Sequence, residues 1–122
     1  MKSKETGIKR ILKAFIYSYN GFTATVKSEI AFRQDLIVFI LLTPIAILLD
    51  ISLLQKAILI SSLLFILLME LINSAIETTI DRISIEYHEL SKKAKDIGSL
   101  LVLISFINAI ILWSAILYQK FF

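Results

Sequence analysis

The chain has 122 residues, of which 57% are hydrophobic and 19% charged, with one proline, three glycines and no cysteine. That balance excludes an ordinary soluble domain, a disulfide scaffold and a thiolate metal centre, and describes a single small domain, residues 1–122, built for a bilayer. The formal net charge of +3 does not mark a nucleic-acid binder, because no basic stripe is interleaved with aromatic side chains.

The first predicted element is an amphipathic helix over about residues 6–27. Ile8, Ile11, Leu12, Phe15, Ile16, Tyr19, Phe22 and Val26 recur at helical spacing, while Lys9, Lys13, Asn20 and Lys27 take the other faces. Such a helix is expected to lie on a membrane surface. Its apolar residues alternate with lysines, so it does not read as a cleavable signal.

Three spans follow, each close to the 20 or so residues that a helix needs to cross the hydrocarbon. They are expected over residues 29–49, 57–81 and 97–118. The first becomes uncharged only at Leu36, so Glu29, Arg33 and Asp35 are expected at the near boundary or against protein, and Pro44 removes one backbone donor inside it. The third carries no charge, and its Trp113 and Tyr118 suit an interfacial belt.

Lys2, Lys4, Lys9, Arg10, Lys13, Lys27 and Arg33 precede or open the first span, and Arg82, Lys92, Lys93 and Lys95 follow the second. Lys56 and Lys120 alone mark the other side. The positive-inside rule therefore places the N-terminus and the loop over 81–96 in the cytoplasm.

The second span holds the most informative residues. Glu70, Asn73, Glu77 and Asp81 share one face of it, at 3.6 residues per turn. A carboxylate near the centre of a membrane helix costs about 2.5 to 3.5 kcal/mol, so two on one span point to function. A rise of about 1.5 Å per residue separates Glu70 from Glu77 by roughly 10 Å, too far to share one small ion. Divided labour is expected: Glu70 near the lipid headgroup oxygens as a general base, Glu77 nearer water with Glu29 as a partial Mg²⁺ site completed by phosphate. Asn73 is placed to orient either glutamate.

That layout suits transfer of a phosphoryl group from a nucleotide to a hydroxyl held at the membrane boundary. No glycine-rich phosphate loop, Walker lysine or kinase catalytic loop is present, so Arg10, Lys95 and Tyr17 are the candidates for holding the nucleotide. Composition and spacing alone stop at a membrane enzyme or transporter with a carboxylate site. A proton-coupled small transporter would use Glu70 but leaves Glu29, Glu77 and the charged loop without a role. An assembly subunit whose acids pair with another protein's basic residues is the third class.

ELINSAIETTIDR followed by EYHELSKKAKDIGS resembles the signature of bacterial diacylglycerol kinase, a small integral-membrane lipid kinase, and AFRQD after Glu29 resembles its first span. The resemblance implies an all-α membrane fold of one surface helix and three transmembrane helices, assembled as a homotrimer in the bacterial inner membrane. It implies ATP-dependent phosphorylation of diacylglycerol to phosphatidic acid with Mg²⁺, and Glu70 as the catalytic base. Glu29 and Glu77 take the metal positions and reach ATP through the metal. Further ATP positions fall on Arg10, Tyr17, Glu86, Tyr87, His88, Lys95 and Asp96. Lipid positions fall on Arg10, Ala31, Phe32, Arg33, Gln34, Asp35, Asp50, Glu70, Ser99 and Trp113. The chain departs from the family pattern with Asp35 in place of Glu, Lys56 in place of Arg and Lys92 in place of Gly. A related branch phosphorylates undecaprenol, and the EYHEL and FRQD forms look more like the diacylglycerol branch. Three thin spans do not enclose Glu70 and Glu77 in one copy, so sites shared between subunits are expected, with Ser74 and Ala75 allowing close approach.

Overall fold

The computed structural model describes residues 6–122, so the expected part of Lys2 and Lys4 in setting orientation lies outside the described residues. Four helices and no strand occur among the described residues: α1 (Ile8–Ser28), α2 (Ile30–Leu48), α3 (Leu53–Ile83) and α4 (Glu89–Phe121). Helices α2, α3 and α4 are each long and apolar enough to cross a membrane. Helix α3 packs against both α2 and α4, and α1 touches α2.

None of the residues of α1 is buried, and Ile8, Ile11, Phe15 and Tyr19 project away from the bundle. An apolar stripe that no protein covers fits a helix lying in the headgroup layer. Glu29 alone separates α1 from α2. Its backbone is extended (φ −113°, ψ 108°), its N–H donates to Thr25 O at 2.9 Å, and its carbonyl accepts from Arg33 N at 3.2 Å. Arg33 then reaches back, donating from Nη1 to Val26 O at 2.7 Å and Lys27 O at 3.1 Å. Carbonyls that the end of α1 would otherwise leave without donors are satisfied in this way.

Two helices begin earlier than hydropathy predicts. Helix α3 starts at Leu53 rather than Ala57 because Ser52 and Gln55 form a reciprocal cap: Gln55 N donates to Ser52 Oγ at 3.1 Å, and Ser52 N donates to Gln55 Oε1 at 3.0 Å. Helix α4 starts at Glu89 rather than Ile97, with His88 as its cap; Leu90 N donates to His88 Nδ1 at 3.1 Å. The long loop expected over 81–96 therefore shrinks to residues 84–88. Apolar composition marks where lipid ends, but a helix continues into water while caps and good helix formers such as those in ELSKKAKD hold it.

The core is narrow, as three helices allow. Ala46, Leu59 and Ile116 form one cluster, and Leu63, Ile66 and Ala109 another. Trp113 joins both from one side, and its indole donates to Ser62 Oγ at 3.1 Å, while Ser62 Oγ donates to Leu59 O at 2.6 Å. Trp113 thus faces the bundle instead of the interfacial belt expected for it, because an indole N–H within apolar surroundings needs an acceptor. Tyr118 stays exposed, stacked on Phe122 at 5.5 Å. Helix α2 continues through Pro44.

Candidate functional site

The site is built on α3, at the end where it meets the start of α2 and of α4. Counting from Leu53 at about 1.5 Å per residue, Glu70 lies roughly 25 Å along the helix and Glu77 roughly 36 Å. Glu77 therefore lies about two turns closer than Glu70 to the end of α3 that meets α4.

Glu70 is 7% exposed, the one carboxylate among the buried described residues. Across the α2–α3 contact its carboxyl group meets that of Asp35, and the Asn73 amide is also within its reach. Asp35 Oδ2 is buried with no N–H or O–H donor beside it. Sequence reading put Asp35 among lipid contacts; its nearness to Glu70 depends on how α2 and α3 are registered, which spacing within either helix does not reveal.

Glu77 accepts from Asn73 Nδ2 at 3.3 Å. Glu29 arrives from the α1–α2 elbow, and Ser74 Oγ donates to its Oε1 at 3.0 Å. Ser74 and Glu77 are three residues apart on α3, so this bond brings Glu29 to the face that carries Glu77. Ser74 was legible as a small residue for close approach; its part in holding Glu29 was not.

A hard divalent cation takes oxygen ligands and keeps several positions for water and phosphate. Glu29 and Glu77 fit that donor set, each with one oxygen steadied by a neighbour and the other open. Among the described residues no three acidic or histidine side chains converge. Glu29 and Glu77 are the pair of described carboxylates that the Ser74 and Asn73 bonds bring to one face of α3.

At the water end, a surface depression of about 420 Å³ is lined by Glu86, Tyr87, His88, Lys92, Lys95 and Asp96. Five of the expected nucleotide positions are thus brought together. Lys95 Nζ donates to Asp81 Oδ1 at 2.8 Å, tying α4 to α3, and Lys92 Nζ donates to Asp96 Oδ2 at 2.6 Å. His88 spends Nδ1 on the helix cap, which leaves Nε2–H as its outward donor. Arg10 and Tyr17 are exposed on α1 and line none of this depression.

The expected lipid positions divide into two groups. Ala31, Gln34 and Ser99 are exposed. Others are engaged within the chain: Phe32 is buried edge-to-face on Phe22 at 5.9 Å, Arg33 closes α1, Trp113 bonds Ser62, and Asp50 accepts from Lys120 at 3.3 Å at the opposite end of the bundle. An apolar hollow of about 460 Å³ lies under α1, lined by Phe22, Phe32, Leu64, Phe65, Leu68 and Leu71. Leu71 is the lining residue nearest in sequence to Glu70.

A family model described as prokaryotic diacylglycerol kinase matches residues 16–117. The chain is similar to the diacylglycerol kinase of Escherichia coli strain K12, 45% identical over 121 residues that cover 99% of each chain. It is 46% identical to that of Pseudomonas aeruginosa over 113 residues (93% of this chain, 92% of the relative), and 36% identical to that of Helicobacter pylori strain J99 over 119 residues (98% and 93%). A match running from the first helix through the third span, with both α3 glutamates and the α4 cap inside it, places the chain in the prokaryotic diacylglycerol kinase family.

Proposed function

We propose that this protein transfers the γ-phosphoryl group of ATP to the free hydroxyl of diacylglycerol, forming phosphatidic acid and ADP at the cytoplasmic face of a bacterial inner membrane. The observation that carries the proposal is the order of groups along α3: buried Glu70, then Asn73, then Glu77, with Glu29 held on the same face by Ser74. The names carried by its relatives, diacylglycerol kinase throughout, supply the acceptor.

In this reading the acyl chains lie against the apolar hollow lined by Phe22, Phe32 and Leu71, and the hydroxyl reaches Glu70. Glu70 takes the hydroxyl proton as the oxygen attacks the γ-phosphorus and the bond to the β-phosphate oxygen breaks. Bound Mg²⁺ supplies neutralisation of the triphosphate charge. Glu29 and Glu77 hold it, and the depression lined by Tyr87, His88, Lys95 and Asp96 receives the nucleotide. The N-terminus is cytoplasmic, and Arg10 and Tyr17 approach the nucleotide from α1.

Two ligands per chain leave the ion's sphere incomplete, and the protein works as a homotrimer whose sites are shared between neighbours. Mixing subunits carrying Glu70→Gln with subunits carrying Glu77→Gln tests this. Recovered activity in mixed oligomers supports sharing, and mixed oligomers that form but stay inactive refute it. The reaction itself is tested by incubating the purified protein in lipid bilayers with labelled ATP, Mg²⁺ and either diacylglycerol or undecaprenol. Labelled phosphatidic acid is the expected product. Label in undecaprenyl phosphate alone would reassign the acceptor, and no labelled lipid from either would end the kinase reading.

A further inference from the structure

Gly98 is buried in α4 and faces Asn73 of α3. A Cβ added at Gly98 would lie 2.2 Å from Asn73 Oδ1 and 3.2 Å from its Cγ, yet 3.6 Å from its Cα. The last distance is ordinary contact, so the two helix backbones have room for alanine. Only the Asn73 amide does not. Asn73 Oδ1 is itself buried and has no hydrogen-bond donor, an uncommon state for a polar atom that calls for a reason. Glycine in a helix interior is also a poor choice on propensity grounds. Two locally unfavourable features, an orphaned acceptor and a mid-helix glycine, thus meet at one point. What they achieve together is an amide turned so that Nδ2 donates to Glu77 Oε1.

We propose that Gly98 is a positioning residue for the metal carboxylate: its missing side chain is the slot that holds the Asn73 amide, and the amide holds Glu77. The inference rests on the reading of Glu77 as a metal ligand. Partners that orient a ligating side chain commonly contribute 10- to 100-fold to metal affinity, and Gly98 exerts its effect without touching the ion.

The test uses the full-length protein in bilayers, free of nucleotide and lipid substrate, with Mn²⁺ as the probe followed by electron paramagnetic resonance. Gly98→Ala is expected to weaken Mn²⁺ binding about tenfold and to move the Asn73 side-chain amide resonance in the metal-free protein. In an Asn73→Ala background, where the slot is empty, the same change is expected to have no further effect. That double variant also removes the steric conflict and keeps the experiment readable if Gly98→Ala alone folds poorly. Unchanged Mn²⁺ affinity in Gly98→Ala, with Glu77→Gln impaired, overturns the inference about Gly98. An equal loss from Gly98→Ala with or without Asn73 overturns it too, since the effect would not pass through the amide. A shifted Asn73 resonance with normal Mn²⁺ affinity in both Gly98→Ala and Glu77→Gln means instead that the assignment of Glu77 has failed.

Discussion

The two ends of the helix bundle handle polar groups in opposite ways. Where α2 turns into α3, they answer one another: Lys56 Nζ donates to Ile47 O at 2.6 Å, Gln55 Nε2 donates to Gln119 Oε1 at 3.2 Å, and Lys120 pairs with Asp50 at 3.3 Å. At the other end, Glu70 meets another acid, Glu29 and Glu77 are each steadied by one neutral side chain, and Asn73 keeps an acceptor without a donor. One end is closed for stability. The other has ion pairs at its surface, Lys95 with Asp81 and Lys92 with Asp96, but leaves Asp35 Oδ2 and Asn73 Oδ1 buried without partners beneath them.

Four substitutions sharpen or break that contrast. The largest effect is expected from Glu70→Gln, a fall in kcat of about 10²- to 10⁴-fold with the KM for Mg·ATP little changed, measured by labelled-lipid formation under saturating substrate. Glu77→Gln is expected to raise the Mg²⁺ concentration for half-maximal rate by about tenfold or more, along with the nucleotide KM. If both variants lose magnesium affinity equally, the division of labour along α3 is wrong. Trp113→Phe removes the bond to Ser62 and is expected to cost about 1 kcal/mol of stability, read as a lower unfolding temperature in detergent. A rise in lipid KM without such loss would instead make Trp113 a substrate contact. Lys120→Met is expected to leave the unfolding temperature in detergent and the activity essentially unchanged, since its partner Asp50 is fully exposed and solvent screens the pair. A large loss of activity there would dissolve the distinction between the two ends.

Much of this was legible before any coordinates. Period and hydropathy locate four helices because a bilayer enforces long apolar runs, and the carboxylates stand out because lipid makes them costly. The helices start ahead of the expected spans, at Leu53 and Glu89, for one reason: composition reports the solvent, whereas caps such as Ser52 and His88 report the backbone. Within α3, the pairing of Asn73 with Glu77 follows from helical spacing. Contacts between helices do not. Asp35 beside Glu70, Glu29 on Ser74, Trp113 on Ser62 and Gly98 against Asn73 each depend on the register of two elements, and a sequence prints no register. Chemistry was read along one helix; its supporting shell required all three.

The Arg33 clamp has a mechanical consequence. Glu29 is a single extended residue between two helices, and such a joint would ordinarily let α1 swing with every undulation of the lipid surface, carrying the carboxylate with it. Because the guanidinium in the first turn of α2 grips two carbonyls at the end of α1, the joint behaves as a braced bracket. The end of α1 and the first turn of α2 are thereby held together, and Glu29 keeps its place relative to α2.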